Sequence, residues 1–502
     1  MKSEKRKVKS VKFATALLLL AMLTTAVQSV SAQGCRRGTP RSAVTRGAAN
    51  GQQPHAGGDF YHGDLHQLVV MAEFSDYAFQ GDETATLQQW DKIFNTKGLN
   101  EAPFKGSVHD YFYEQSNGQF RVTFDLHYVK LPGNREKYRS TSANDENSQY
   151  LVIDIMDQLE QRTIDWSLYD WNGDGFVNQL LIIFAGKGSA YGGFGGGYDA
   201  IWPHQWWLSE HKIEGTLNEY RSPRKVTDAN GKTLTVDCYC ALQELSKEDT
   251  YGSFGTICHE YTHCFGIPDF YNNSTKYVGA WDLMDAGNNS GNGFCPPNYS
   301  GHERWIMGWL TPTELTSATT VSNLAALGDH QQVYFVRNDG YENEYYFVEN
   351  RQQKGWDASL PGSGIVVFHI DFDPNIWTST KIVPNQYSEK HYVIIPANNK
   401  TTYTTSNASH WAYPYDGNAS LTNTSSPAAT LFHANTDGTM LMNKPLTKMA
   451  VDANGVASFD FMGGATAVAA PSVSGSYEVL YDFGPISIIR LGNGEIKKIM
   501  KH

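Results

Sequence analysis

The chain has 502 residues, enough for two or three domains and at least one large core. Its 40% hydrophobic and 13% aromatic content excludes a disordered polymer. A formal net charge of -12, with no long basic block beyond the first dozen residues, argues against nucleic acid as a main partner.

The amino terminus carries Lys2, Lys5, Arg6, Lys7, Lys9 and Lys12, then the apolar run FATALLLLAMLTTAV, then Val30, Ser31 and Ala32. That layout predicts a secretory signal peptide over residues 1–32, cut after Ala32. The apolar run is shorter than the roughly 20 residues a spanning helix needs. No stable membrane insertion is expected after cleavage, and the mature chain is expected to be secreted or held at the cell surface. Residues 33–65, rich in Gly, Arg, Ser and Gln, read as a leader or short pro-segment containing Cys35.

Residues 66–312 mix strand and helix signals. HQLVVMAEFSD and VNQLLIIFAGKG read as buried strands, and QFRVTFDLHYVKL alternates as a strand does. LQQWDKIFNTKG, SVHDYFYEQSNG and SQYLVIDIMDQLEQR have helical spacing, and the Gly-rich GSAYGGFGGGYDA reads as a loop. From residue 313 to 466 the pattern becomes short β-type runs such as QQVYFVRN, EYYFVENRQ and GSGIVVFHIDF, predicting a β-rich, sandwich-like region. Residues 467–502 form a C-terminal β-type segment after an Ala/Pro/Ser linker. The expected class is therefore α+β.

The stretch GTICHEYTHCFGIPDFY carries the chemistry. His259 and His263 stand four apart, so on a helix both imidazoles project from one face and can share a zinc ion. Glu260 adjoins the first ligand, where it can act as general base on a metal-activated water. Gly266 can stop the helix in the left-handed conformation and Pro268 keeps it from resuming, so the chain turns and Asp269 can return as a third ligand. Met284 falls in a tight, polar-flanked turn within VGAWDLMDAG. Cys258 and Cys264 lie on different helix faces and read as buried or disulfide-bonded, not as ligands. His204, His369 and the Trp206–Trp207 pair read as structural, while Tyr299 is a candidate donor near the metal.

HExxHxxGxPD followed by a WDLM turn resembles the metzincin-type zinc peptidases, and most closely the secreted bacterial immune inhibitor A-type metalloproteases. VVMAEFSD, SVHDYFYEQSNGQF, DWNGDGFVNQLLIIFAGKG, IWPH, ERWIMGWL, EYYFVENRQ and GIVVFHID are also similar to segments of that family. The resemblance implies a metzincin-like catalytic domain, a zinc endopeptidase acting on protein or peptide substrates, and Met284 beneath the metal. Metzincins often use histidine as third ligand, so Asp269 departs from the commoner pattern and Glu303, in GHERWIMGW, is its rival. The ending YDFGPISIIRLGNGEIKKIMKH resembles short sorting domains, or the last strands of a β-domain.

A second ion is expected in YDWNGDGFVNQ. Asp170, Asn172 and Asp174 alternate, Gly175 supplies a turn, Phe176 can offer a carbonyl and Asn178 a further oxygen, a donor set suited to calcium. The twelfth position is Leu181, so the loop is no EF-hand, and a polar turn without metal is the plainer reading. The competing reading for the whole chain is a catalytically inactive, peptidase-like binding protein or adhesin that uses its β-rich region. The intact Glu260 weighs against it.

Overall fold

The computed structural model describes residues 61–139, 147–191, 200–210, 223–246, 250–252, 254–272, 275–377, 383–386, 390–464 and three strands between 477 and 500. The expected signal peptide, the leader up to residue 60, Cys35 and most of the Gly-rich loop lie outside the described residues.

The first half is built on one five-stranded sheet. Its members are β1 (Gly63–Glu73), β2 (Phe120–Lys130), β3 (Leu180–Lys187), β4 (His204–Trp207) and, after a hairpin of β5 (Arg224–Thr227) and β6 (Thr233–Val236), β7 (Cys238–Leu245). They lie in the order β2-β1-β3-β7-β4. The first four of these run parallel, and β4 closes one edge antiparallel to β7, His204 facing Ala241. The unbroken apolar runs of β1 and β3 suit strands covered on both faces, and their central residues are buried.

Helices supply the cover. α1 (Glu83–Asn95) starts at Asp82, whose carboxylate accepts the Ala85 N–H, and buries Thr86, Trp90, Ile93 and Phe94. α2 (Val108–Gln115) starts with a reciprocal cap between Ser107 and Asp110. α3 (Ser148–Leu159) follows the predicted apolar periodicity. α4 (Phe254–Cys264) runs through the core, and α5 (Gly301–Ile306) leads into the β-rich region.

That region begins with β8 (Thr313–Glu314), β9 (Thr319–Leu324), β10 (Tyr334–Asn338), β11 (Tyr341–Arg351), β12 (Gly364–Asp371) and β13 (Tyr392–Ile394). It continues with β14 (Leu446–Val451) and β15 (Ala457–Phe461). The strands form a five-stranded sheet, β13-β12-β11-β10-β8, and a three-stranded one, β14-β15-β9. Strand alternation divides the larger sheet's residues between two cores. Tyr346, Val348, Ile365 and Val367 pack with Phe459 and Phe461 of the smaller sheet. Tyr345, Phe347, Val366, Phe368 and Ile370 join the core that also holds Trp305, Trp281 and the first sheet. The change of pattern at residue 313 thus marks a change of secondary structure within a shared core. The molecule is α+β. At the far end β16 (Tyr477–Asp482), β17 (Ile486–Leu491) and β18 (Ile496–Met500) form a small antiparallel sheet.

Candidate metal centre

α4 is eleven residues long and almost entirely buried. Its start packs so closely on the following turn that a Cβ on Gly255 would meet the Asn288 carbonyl at 2.1 Å. Its end is closed by Gly266 at φ +92°, a conformation suited to glycine, whose N–H bonds the His263 carbonyl at 2.9 Å. The reversed chain brings Asp269 to the two imidazoles.

His259 Nε2 lies 3.1 Å and His263 Nε2 3.4 Å from the same oxygen, Asp269 Oδ1. All three residues are buried, and one ligand atom from each falls within 4.8 Å of the others. Each ring is aimed from behind. His259 Nδ1 is 2.9 Å from the Leu283 carbonyl, and His263 Nδ1 is 2.8 Å from the Ile267 carbonyl. A carbonyl only accepts, so each Nδ1 carries hydrogen and each Nε2 is left to face the shared centre.

Burial alone would push the His259 imidazole down. The Asp269 hydrogen bond, the charges of Glu260 and Asp269 and the Leu283 carbonyl outweigh it, raising the group to about 9. Burial likewise raises Asp269, but the two histidines overcome it and bring its carboxyl down to about 2. Beyond these close approaches within the group, His263 Nε2 and both Asp269 oxygens are buried without a well-formed hydrogen bond to any other residue. Three convergent, buried donors of nitrogen and oxygen type, two of them left unsatisfied, fit a metal cation.

Glu260 is buried one residue beyond His259 and acts on it through its charge. Met284 is buried on the turn that supplies the Leu283 carbonyl, and its own carbonyl accepts the Phe270 N–H at 2.9 Å. Glu303 is not in the donor group. Its carboxylate instead caps α5, accepting the Ser300 N–H at 2.7 Å, while burial first and the Asp282 charge next push its pKa well above the carboxylate range. Tyr299 is buried with its ring stacked on Trp309 and its hydroxyl bonded to Thr262. His204 is held by the Trp202 carbonyl and Tyr239, and His369 by Glu344. Cys258 and Cys264 are buried and carry no disulfide in the structure.

Two features had no signal in the sequence. Tyr271 stacks towards His259 with centroids 6.4 Å apart, and the Lys276 ammonium sits 3.9 Å above the Tyr271 ring. The backbone carbonyls that orient the imidazoles carry no side-chain signature at all.

The YDWNGDGFVNQ loop closes on itself. Asp170 Oδ2 accepts the Gly175 N–H, Asp174 Oδ1 the Phe176 N–H and Asn178 Oδ1 the Trp171 N–H. Asn172 donates to Asp174 Oδ2 at 3.0 Å. Lys232 lies 2.8 Å from Asp170 Oδ2, whereas Asp170 Oδ1 is buried without a partner. The side-chain oxygens expected as ligands are thus engaged within the loop, and an ammonium stands beside Asp170 that a divalent ion would have to displace.

Residues 66–307 match the family described as the immune inhibitor A peptidase M6 catalytic domain. The chain is 29% identical over 311 residues to Immune inhibitor A of Bacillus thuringiensis subsp. alesti, covering 52% of this chain and 43% of that protein. It is 28% identical over 228 residues to Pre-pro-metalloprotease PrtV of Vibrio cholerae serotype O1 (strain M66-2), covering 40% and 23% respectively. The chain thus spans less than half the length of the curated relatives it matches. Among the described residues no helix is long and apolar enough to cross a membrane.

Proposed function

Because residues 66–307 are an M6 peptidase catalytic domain of the immune inhibitor A family, we propose that the chain is an exported zinc endopeptidase hydrolysing peptide bonds in proteins. The observation that carries this reading is the buried, convergent donor set of His259, His263 and Asp269. Zinc held there supplies Lewis acidity, which makes water nucleophilic near neutral pH. Glu260, next to the first ligand, takes the proton of the attacking water and hands it to the leaving amine. The Leu283 and Ile267 carbonyls keep the imidazoles in the ligating tautomer, and burial excludes competing water. Export is supported by the charged, apolar and small-residue pattern of residues 1–32. The Asp170–Asn178 loop is read as a calcium site that stabilises the domain and takes no part in the chemistry.

The test is cleavage of casein or gelatin by purified protein, its arrest by a chelator and its return with zinc. Glu260→Gln keeps the side-chain shape, and activity is expected to fall by at least ~10²-fold with zinc still bound. Near-normal turnover in that variant would overturn the assignment of the base. A zinc-loaded wild type that cleaves nothing would favour the binding-protein reading.

A further inference from the structure

The turn Asp282–Leu283–Met284 holds two members of the donor set at once. The Leu283 carbonyl receives the His259 Nδ1 proton at 2.9 Å, and the Met284 carbonyl receives the N–H of Phe270, the residue after Asp269, at 2.9 Å. The turn is fixed in its own right by Asp282, whose Oδ1 accepts the Met284 N–H at 2.8 Å. The other carboxylate oxygen, Oδ2, faces the hydroxyl of Tyr392 at 3.0 Å.

Tyr392 belongs to β13 and stands well outside the matched catalytic domain, which ends at residue 307. Its hydroxyl also lies 2.8 Å from Ser300 Oγ. A phenol has one proton, which Tyr392 can direct to Asp282 Oδ2 or to Ser300 Oγ, and the carboxylate is the stronger acceptor of the two. Its ring is stacked on Phe270 with centroids 3.8 Å apart and planes 15° from parallel. Asn385, also beyond residue 307, completes the link: its Nδ2 donates to the Phe270 carbonyl at 2.8 Å and to the Tyr392 carbonyl at 2.7 Å. Its Oδ1 accepts the Tyr392 N–H at 3.0 Å. Only this orientation of the amide matches two acceptors and one donor. Phe270, Asn385, Tyr392 and Asp282 are all fully buried.

We propose that Tyr392 and Asn385 are positioning residues of the metal centre, so that the β-rich region completes a site whose ligands all lie in the catalytic domain. The proposal rests on reading His259, His263 and Asp269 as the metal ligands. Neither residue touches a ligand atom. Tyr392 acts through Asp282 on the turn that aims His259, and the two residues together clamp Phe270 and so fix the backbone that presents Asp269. Outer partners of this kind typically contribute ~10–100-fold to metal affinity or activity.

The test uses the full chain and Tyr392→Phe, which keeps the ring stack and removes one oxygen. Tyr345→Phe is the control: a fully buried tyrosine of the same sheet whose hydroxyl bonds His302 Nε2 at 3.0 Å instead of the turn. Zinc affinity is measured by competition with a chromogenic chelator, cobalt-substituted protein is compared by visible absorption, and metal-free melting points are recorded. Tyr392→Phe should bind zinc ~10–100-fold more weakly and alter the cobalt bands. Tyr345→Phe should keep wild-type affinity even where its melting point falls as far. Asn385→Ala should weaken zinc in the same direction, which keeps the test open if Tyr392→Phe folds poorly. Wild-type zinc affinity in Tyr392→Phe and Asn385→Ala, or an equal loss in the Tyr345 control, overturns the proposal. Failure of wild type itself to bind one zinc through His259 and His263 removes the metal-site reading and this proposal with it, an outcome visible before any variant is made.

Discussion

Protons and metal compete for His259, and the competition can be followed across pH. In the metal-free protein, His259 at about 9 and Asp269 at about 2 form a buried ion pair. The stabilisation from His259 is complete below its ordinary value of 6.5 and is lost as pH rises through about 9. That from Asp269 is complete above 3.8 and is lost as pH falls through about 2. The displacement of Asp269 corresponds to about 2 kcal/mol on the acid side, at 1.36 kcal/mol per pH unit. His259 gives a larger figure on the alkaline side because Glu260 and the Leu283 carbonyl add to the Asp269 interaction. Metal-free protein should therefore be most stable between about pH 4 and 6.5 in this respect, and lose about 3 kcal/mol towards pH 10 as His259 deprotonates. Zinc must expel the His259 proton, so its affinity should climb by about 50-fold between pH 7 and 9. Urea unfolding of metal-free protein and chelator competition at each pH, corrected for the chelator's own protonation, measure both. Asp269→Asn should flatten the metal-free profile. A zinc affinity that is level over pH 7–9, or metal-free protein more stable at pH 9 than at pH 6, would refute the reasoning.

Asp269→Ala should strip the protein of zinc and activity, whereas Glu303→Ala should retain the metal and lose mainly the ~0.5–2 kcal/mol typical of a helix cap. Metal analysis of the folded variants separates them, and the reverse pattern would make Glu303 the ligand. Calcium added to stripped protein at constant zinc should raise the melting midpoint, and Asp174→Ala should lose most of that gain. An unmoved wild-type midpoint leaves a polar turn. Trp356, buried and stacked 5.7 Å from Phe254 with an edge against Tyr111, should cost about 3–5 kcal/mol when replaced by alanine. A loss below ~1 kcal/mol by urea titration would mean that the site collapses around the hole.

The donor set was legible because its information is local. The four-residue spacing of His259 and His263 and the Gly266–Pro268 stop dictate the helix face and the turn, and Asp269 follows within six residues. Glu303 shows the limit of reading side-chain chemistry alone. Ser300 and Glu303 have the spacing of a reciprocal helix cap, and the structure uses the carboxylate that way. His369 meets Glu344 through the antiparallel register of β11 and β12, which no local pattern encodes. Leu283 and Ile267 act through their backbones, where any residue type would serve. The change of pattern at residue 313 was visible, but whether two patterns share a core depends on which strand faces meet, and that is a long-range property.

The shared core also sets an order of events. The first sheet and α4 are synthesised before the strands that cover their remaining apolar face, and Phe347, Phe368 and Tyr392 arrive only later in the chain. β9 then waits for β15, more than a hundred residues further on, before its sheet can close. Such distant pairings make folding slow relative to synthesis and leave an unfinished chain with exposed aromatic surface. A chain assembled in this order would be a client for holding chaperones, and its earliest half would exist for a time beside its own unfolded remainder.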